Sequence, residues 1–294
     1  MDTKNKSGGH ICMKHGKTSV LKDVWNHKFG RLGILFISII AISSVIIPIL
    51  SPYSIDKIDL IDCYSPPSSS HLFGTDELGR DVFTRVFYAG RISILVGVSG
   101  TFISVLLGIF IGAVAGYFGG IVDSIFLKLH EVQYCFPAII LVIALMSILN
   151  GGTVELILFL GLFMWPTTFR VTRNLFISLK NEDYVKSAKL MGNNSFAIMF
   201  KQILPNVFPT IMVNATLLVA QMIILETALS FLGLGVQPPL PSWGNMLNAA
   251  RDLTVLSEMW WMWVPPGILV FLFALGINFL GDALNDVMSP YYWK

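Results

Sequence analysis

Long apolar runs separated by short charged stretches divide this chain, and the runs are too long for buried strands. From Ile92 to Val122 the only charge-free stretch of its length begins and ends without a single Asp, Glu, Lys or Arg. A helix rises about 1.5 Å per residue and the hydrocarbon core of a bilayer is about 30 Å thick, so roughly 20 apolar residues span it. Runs of this kind predict helices crossing a membrane at about 31–51, 92–118, 127–149, 153–170, 206–232 and 263–281. The fourth run is the shortest, since only Leu156 to Phe169 separates Glu155 from Arg170. The reading is an all-α integral membrane protein with six transmembrane helices. The first apolar run is too long for a cleaved signal peptide, and it is expected to stay as an anchor.

Within the second run, Gly100, Ser104, Gly108, Gly112 and Gly116 recur every fourth residue and strip one helix face of bulk. Lipid gives no hydrophobic reward for pairing helices, so such a stripe acts through close backbone approach and van der Waals contact. It predicts a helix packed tightly on another helix.

Composition fits this reading: of 294 residues 54% are hydrophobic and 13% charged, and mean hydropathy is +0.69. The net charge of +2 gives no global field for nucleic acid, so the distribution of charge is what informs. Lys4, Lys6, Lys14, Lys17, Lys22, Lys28 and Arg31 precede the first run, and Arg170, Arg173, Lys180, Lys186, Lys189 and Lys201 lie between the fourth and fifth. Lysine and arginine concentrate on the cytoplasmic side, which predicts both termini inside and residues 52–91, 150–152 and 233–262 outside. The corresponding organisation is a cytoplasmic tail over 1–30, an anchor helix over 31–51, an extracytoplasmic loop over 52–91, a five-helix core over 92–281 with a cytoplasmic loop at 171–205, and a cytoplasmic tail over 282–294. Arg91 stands against the charge rule.

Chemistry-bearing motifs are few. Gly16-Lys17-Thr18 looks like the end of a phosphate-binding loop, but Ile11 occupies the position of the required upstream glycine and no strand precedes it. Energy coupling would need a nucleotide engine on another subunit. His10, Cys12 and His15 sit in the basic tail with nothing to fix a ligand geometry, and Cys12, Cys63 and Cys135 form no disulfide framework. No nucleophile, base and orienting group occur together, so no catalytic residue, bound cofactor or metal ligand is expected. Asn214, Gln221 and Glu226 fall in the fifth run, where polar groups are expensive and face partners or a watery pathway. Glu226 is also near enough to the outer end to reach the headgroups, and both readings stand. Asp76, Glu77, Arg80 and Asp81 form a dense cluster on the first outer loop, suited to internal ion pairs or to recognition of a docking protein. Trp260, Trp261 and Trp263 read as an interfacial aromatic belt.

The loop between the fourth and fifth runs, DYVKSAKLMGNNSFAIMFKQILPNVFP, predicts a helix over Asp183–Met191, a break at Gly192, and a second helix capped by Asn194 or Ser195. Its apolar residues need a covering partner, or else the two helices lie as amphipathic elements on the membrane surface, which the lysines would also favour. This loop resembles the motif by which permease subunits of bacterial ABC importers dock on their ATPases: Glu-Ala-Ala, three residues, Gly, nine residues, Ile-x-Leu-Pro. Here those positions read Lys186-Ser187-Ala188, Gly192 and Gln202-Ile203-Leu204-Pro205, with lysine and serine in place of the acidic residue and the first alanine. Three further stretches, HLFGTDELGRDVFTRVFYAGRISILVG at 71–97, LSFLGLGVQPPLPSWGNML at 229–247 and NFLGDALNDVMSP at 278–290, resemble the second-permease branch of the dipeptide/oligopeptide/nickel permease family.

That resemblance implies a type I ABC importer permease fold in the bacterial cytoplasmic membrane. It also implies a second permease chain completing the pathway, two cytoplasmic ATPase subunits carrying ATP and Mg2+, and an extracellular solute-binding protein. Lys186, Ser187, Ala188, Gly192, Leu204 and Pro205 would form the ATPase-coupling loop, with Phe196, Met199 and Phe200 entering the ATPase cleft. Peptides are the expected cargo, moved by alternating access; nickel or a metal chelate is the alternative within the family. A secondary transporter or channel, the alternative from another class, would be expected to carry charged coupling residues in mid-span or an internal repeat.

Overall fold

A computed structural model describes residues 17–148 and 152–288. The His10, Cys12 and His15 tail and Cys-free residues 289–294 lie outside the described residues. Short helix α1 (Lys17–Asn26) leads into α2 (Lys28–Leu50), α3 (Val82–Phe118), α4 (Gly120–Tyr134), α5 (Ala138–Ile148), α6 (Thr153–Phe163) and α7 (Trp165–Leu179). A helical hairpin follows, α8 (Asp183–Leu190) and α9 (Ser195–Ala197), whose second arm runs through a π-helical turn at Ile198–Ile203 into α10 (Leu204–Phe231). Short helices α11 (Trp243–Leu247) and α12 (Leu253–Glu258) precede the last helix, α13 (Trp260–Met288).

Among the described residues, five helical segments are long and apolar enough to cross a membrane: Lys28–Leu50, Val82–Phe118, Thr153–Leu179, Ser195–Phe231 and Trp260–Met288. The third of the expected spans, at 127–149, falls on α4 and α5, which are separate helices meeting at Cys135-Phe136-Pro137. Pro137 has no amide hydrogen and crowds the turn before it, so the helix ends there. Gln133, one turn earlier, donates its side-chain amide to the Phe163 carbonyl at the α6–α7 bend instead.

The two end groups of the bundle are distinct. Residues 51–81 and 232–259 share one end, here the loop end; α1, the hairpin and the end of α13 share the other, the hairpin end. His27 at the start of α2 lies 3.4 Å from Asp286 near the end of α13, which brings the two ends of the described chain together. The main core runs along α3, α6, α7 and α10 and includes Val96, Leu160, Phe176, Ile211 and Met222. A second core joins α2, α3, α10 and α13 around Ile40, Val86, Trp243 and Phe273.

Helix α3 begins at Val82, ten residues before the charge-free run, and at 37 residues it extends about 55 Å. Asp81 caps it, accepting from the Thr84 backbone N–H at 2.7 Å and from the Thr84 hydroxyl at 2.6 Å. Arg91, the exception to the charge rule, is explained by Pro48 inside α2. Proline cannot bond to the carbonyl four residues earlier, that of Ser44, and Arg91 Nε donates to it at 2.7 Å. The fourth span passes Arg170 and continues to Leu179 because its later charges have partners. Arg173 pairs with Asp123 of α4, and Lys180 Nζ donates to the Gly116 carbonyl at 3.1 Å.

Candidate functional site

At the loop end the acidic cluster is an internally bonded unit. Asp76 Oδ1 accepts from the backbone N–H groups of Leu78 at 2.9 Å and Arg80 at 3.0 Å, and its Oδ2 takes Arg80 Nε at 2.7 Å. Arg80 also reaches Glu77 at 2.9 Å, Arg85 lies 3.4 Å from Asp76, and Asp81 lies 3.0 Å from His71. Every charge the sequence placed here has a partner in the same chain. The turns need glycine: Gly74 and Gly79 have φ of +63° and +70°, and at Gly74 a side chain would strike the Ser65 carbonyl and the Trp261 ring.

Trp261 thus belongs to the loop core, donating to the Thr75 carbonyl at 3.3 Å. It does not stand in an aromatic belt as expected, whereas Trp260 is exposed. Between this unit and α11–α12 lies a cavity of about 570 Å³ lined by Tyr64, Arg85, Asn245 and Asp252 among others. Burial, and then the Glu77 carboxylate, push the Tyr64 phenol up.

The three polar residues of α10 part company. Gln221 is exposed, and Asn214 is half-buried with Oδ1 3.3 Å from the Thr168 hydroxyl of α7. Glu226 is fully buried at 0% exposure. Ser93 of α3 donates to one of its carboxyl oxygens at 3.0 Å and Ser230 to the other at 2.7 Å. Each serine oxygen accepts in turn, Ser93 from the Trp243 N–H at 3.2 Å and Ser230 from the Val236 N–H at 3.0 Å. Glu226 therefore neither reaches the headgroups nor lines an open path; it pins the 232–243 loop to α3 and α10. The signal for this role, serines at 93 and 230, is invisible without knowing that α3 and α10 touch.

The small-residue stripe is buried throughout. A Cβ added at Gly108 would lie 2.5 Å from Thr168 Cβ and 2.9 Å from the Phe169 nitrogen; at Gly112, 2.8 Å from Thr172 Cβ and 2.9 Å from the Phe169 oxygen; at Gly116, 2.7 Å from both the Arg173 oxygen and Phe176 Cβ. The facing helix is α7 of the same chain. Gly100 differs, since its nearest neighbours, Leu160 Cβ and Met222 Sδ, would be 3.7 Å away.

At the hairpin end, α8 closes on Gly192 at φ +80°. The Gly192 N–H bonds to the Lys189 carbonyl at 3.1 Å and the Asn193 N–H to that of Ala188 at 3.2 Å. This paired pattern satisfies the last carbonyls of a helix and favours glycine at its left-handed position. Asn194 caps the next helix, accepting from the Ala197 N–H at 2.6 Å.

Lys186 is exposed and lies 3.1 Å from Asp183; Ser187 is exposed, Ala188 is buried, Leu204 is half-buried and Pro205 exposed. Burial pushes the Tyr184 phenol up. Phe196 is 56% exposed and stacks on half-buried Phe200 at 6.4 Å. Met199 corrects the expectation for this loop: at the start of the π-helical turn it is fully buried in the main core, and it cannot enter a partner's cleft. The exposed apolar tip consists instead of Leu190 at 89%, Met191 at 81% and Phe196. Leu190 and Met191 immediately precede Gly192, and their position beside the turn was the available sign.

The arrangement is thus a membrane bundle with a closed, ion-paired loop unit at one end and a protruding apolar hairpin at the other. The chain is 39% identical over 291 residues to the dipeptide transport system permease protein DppC of Bacillus subtilis, covering 98% of this chain and 90% of that protein. It is 34% identical over 265 residues to the oligopeptide transport system permease protein OppC of the same organism, covering 90% and 86%. To the glutathione transport system permease protein GsiD of Pectobacterium atrosepticum it is 38% identical over 224 residues, covering 76% and 74%. Residues 108–294 match the family described as the inner membrane component of binding-protein-dependent transport systems, and with its multi-pass bundle this chain belongs to that family.

Proposed function

We propose that this chain is one of two permease subunits in an ATP-driven importer of short peptides. The relatives named for dipeptide, oligopeptide and glutathione transport support a peptide cargo over nickel or a metal chelate. The hairpin carries the coupling assignment: Leu190, Met191 and Phe196 present apolar surface that water disfavours and a partner would cover. That end would face the cytoplasm and receive an ATPase subunit, while the ion-paired loop end would face outward toward the solute-binding protein. A second permease chain would complete the pathway, and ATP and Mg2+ would be held by the two ATPase subunits.

Reconstitution of the full complex in proteoliposomes tests this. Tritiated dialanine, delivered by the cognate binding protein, is expected to accumulate only when both ATPase subunits and ATP are present. Accumulation that persists without the ATPases, driven by an ion gradient, would make the chain a secondary transporter.

A further inference from the structure

Between α4 and α7 lies a cavity of about 330 Å³ whose floor is His130 against Phe169. His130 is 5% exposed, and neither of its ring nitrogens has a hydrogen-bond partner among the described residues. A buried imidazole left unpaired is costly, and it offers both a donor and an acceptor to whatever enters. Its ring lines the cavity and stacks on Tyr134 at 4.6 Å.

The charges on the rim separate by role. Arg173 is committed to Asp123 through two hydrogen bonds. Arg170 lies over the Tyr134 ring at 5.6 Å, and among the described residues it has no ion pair, nor does Glu131. One free cation and one free anion thus border the same cavity. A simple anion would be repelled by Glu131 and a simple cation by Arg170; a molecule carrying both signs is opposed by neither.

The cavity also opens away from the apolar side of α4. Ile121, Ile125, Leu129 and Val132 are exposed on one face of that helix, whereas His130 and Glu131 lie roughly on the other side at about 100° per residue. On α7 the residues one and two turns beyond Arg170, Asn174 and Ser178, are exposed and polar. Charged and polar groups aligned this way in a membrane helix border water.

We propose that this cavity is a subsite for small zwitterionic peptides, with Arg170 receiving the terminal carboxylate, Glu131 the terminal ammonium, and His130 hydrogen-bonding the peptide group between them. This rests on the peptide-importer reading and assigns a place within it. Dialanine is of a size to enter, and the aromatic floor accepts a side chain.

Thiol protection on the assembled complex, lacking binding protein and with Cys12, Cys63 and Cys135 replaced by serine, tests it without requiring transport. Asn174→Cys places the thiol on the exposed rim. Labelling by a maleimide is expected to slow about ten-fold when dialanine reaches about ten times its dissociation constant. N-acetyl-dialanine amide, which lacks both charges, should give no protection. Arg170→Gln and Glu131→Gln, both at exposed rim positions, should each abolish protection by dialanine while the partner permease still co-purifies. Equal protection by the blocked peptide, protection surviving in both variants, or protection by glycerophosphoethanolamine in place of dialanine, would overturn the assignment; the last would make it a lipid headgroup site. Uptake of dialanine by the complete parental complex is measured separately, so failure of the importer reading is distinguishable from failure of the subsite.

Discussion

The face of α3 that meets α7 sets up a sharp comparison among three glycines of one stripe. At Gly108 an added methyl would sit 2.5 Å from Thr168 Cβ and 2.9 Å from the Phe169 nitrogen, and at Gly112 it would sit 2.8 Å from Thr172 Cβ and 2.9 Å from the Phe169 oxygen. Each contact falls about 1 Å or somewhat less short of ordinary van der Waals separation, and one neighbour at each site is backbone that no rotamer change can move. The two helices must part or shift along a long seam. Overpacking of this kind costs about 1–3 kcal/mol per site.

At Gly100 the same methyl meets only ordinary contacts at 3.7 Å. There alanine replaces the poorer helix former, which favours the variant by up to about 1 kcal/mol. Gly108→Ala and Gly112→Ala are therefore expected to lower the thermal midpoint of the purified protein, and Gly100→Ala to leave it unchanged or raise it. Fluorescence-detected gel filtration after heating measures this in detergent. Since α7 belongs to the same chain, the fraction of surviving protein that co-purifies with its partner permease should stay at the parental value. The packing argument fails if Gly108→Ala is as stable as the parent or if Gly100→Ala is equally damaging.

Glu226→Ala leaves the Ser93 and Ser230 hydroxyls without their acceptor in a buried site and should cost about 2–4 kcal/mol in stability, read as the same thermal midpoint; a parental midpoint would mean that the loop is held by other contacts. Asp81→Ala removes the cap of α3 and the acceptor for His71, with an expected loss of about 0.5–2 kcal/mol that Asp81→Asn partly restores. In a background without native cysteines, Glu77→Cys and Leu253→Cys should react with an impermeant maleimide in intact cells, and Leu190→Cys only after permeabilisation; reaction at 190 in intact cells reverses the orientation. Gly192→Val forces a branched residue to a φ of +80° and should uncouple ATP hydrolysis from uptake in the reconstituted complex, whereas Lys186→Glu brings a negative charge to exposed surface beside Asp183 and tests whether the cognate ATPase presents an acidic contact there. Full activity of Gly192→Val would remove the hairpin from the coupling path.

Apolar length alone marked out five of the helices, because a membrane span is a local property of some 20 consecutive residues. Their ends were less legible. Helix α3 starts ten residues early because Asp81 caps it and Arg85 and Arg91 find partners in distant segments: the Ile55 carbonyl for the first and the Ser44 carbonyl freed by Pro48 for the second. Charge-counting treats every arginine as a boundary; a structure can place one inside a helix by giving it a carbonyl. Partners likewise carry α7 on to Leu179: Asp123 for Arg173 and the Gly116 carbonyl for Lys180.

Site residues follow the same division between local and distant causes. The bend at Gly192 and the cap at Asn194 were readable because a helix stop and a helix start are written within a few residues. Met199 was not, since the side chains it packs against in the main core lie on other helices, and no pattern within the hairpin brings them beside it. Glu226 and His130 mark the limit most clearly. Glu226 lies in an apolar run and His130 among Lys128, Glu131 and Gln133, and neither setting says what surrounds the side chain in the fold. Yet the first is enclosed by Ser93 and Ser230 and closes a loop, while the second faces a cavity with neither nitrogen bonded. What separates a structural polar group from one available to a ligand is whether its partners are already present, and those partners lie on other helices.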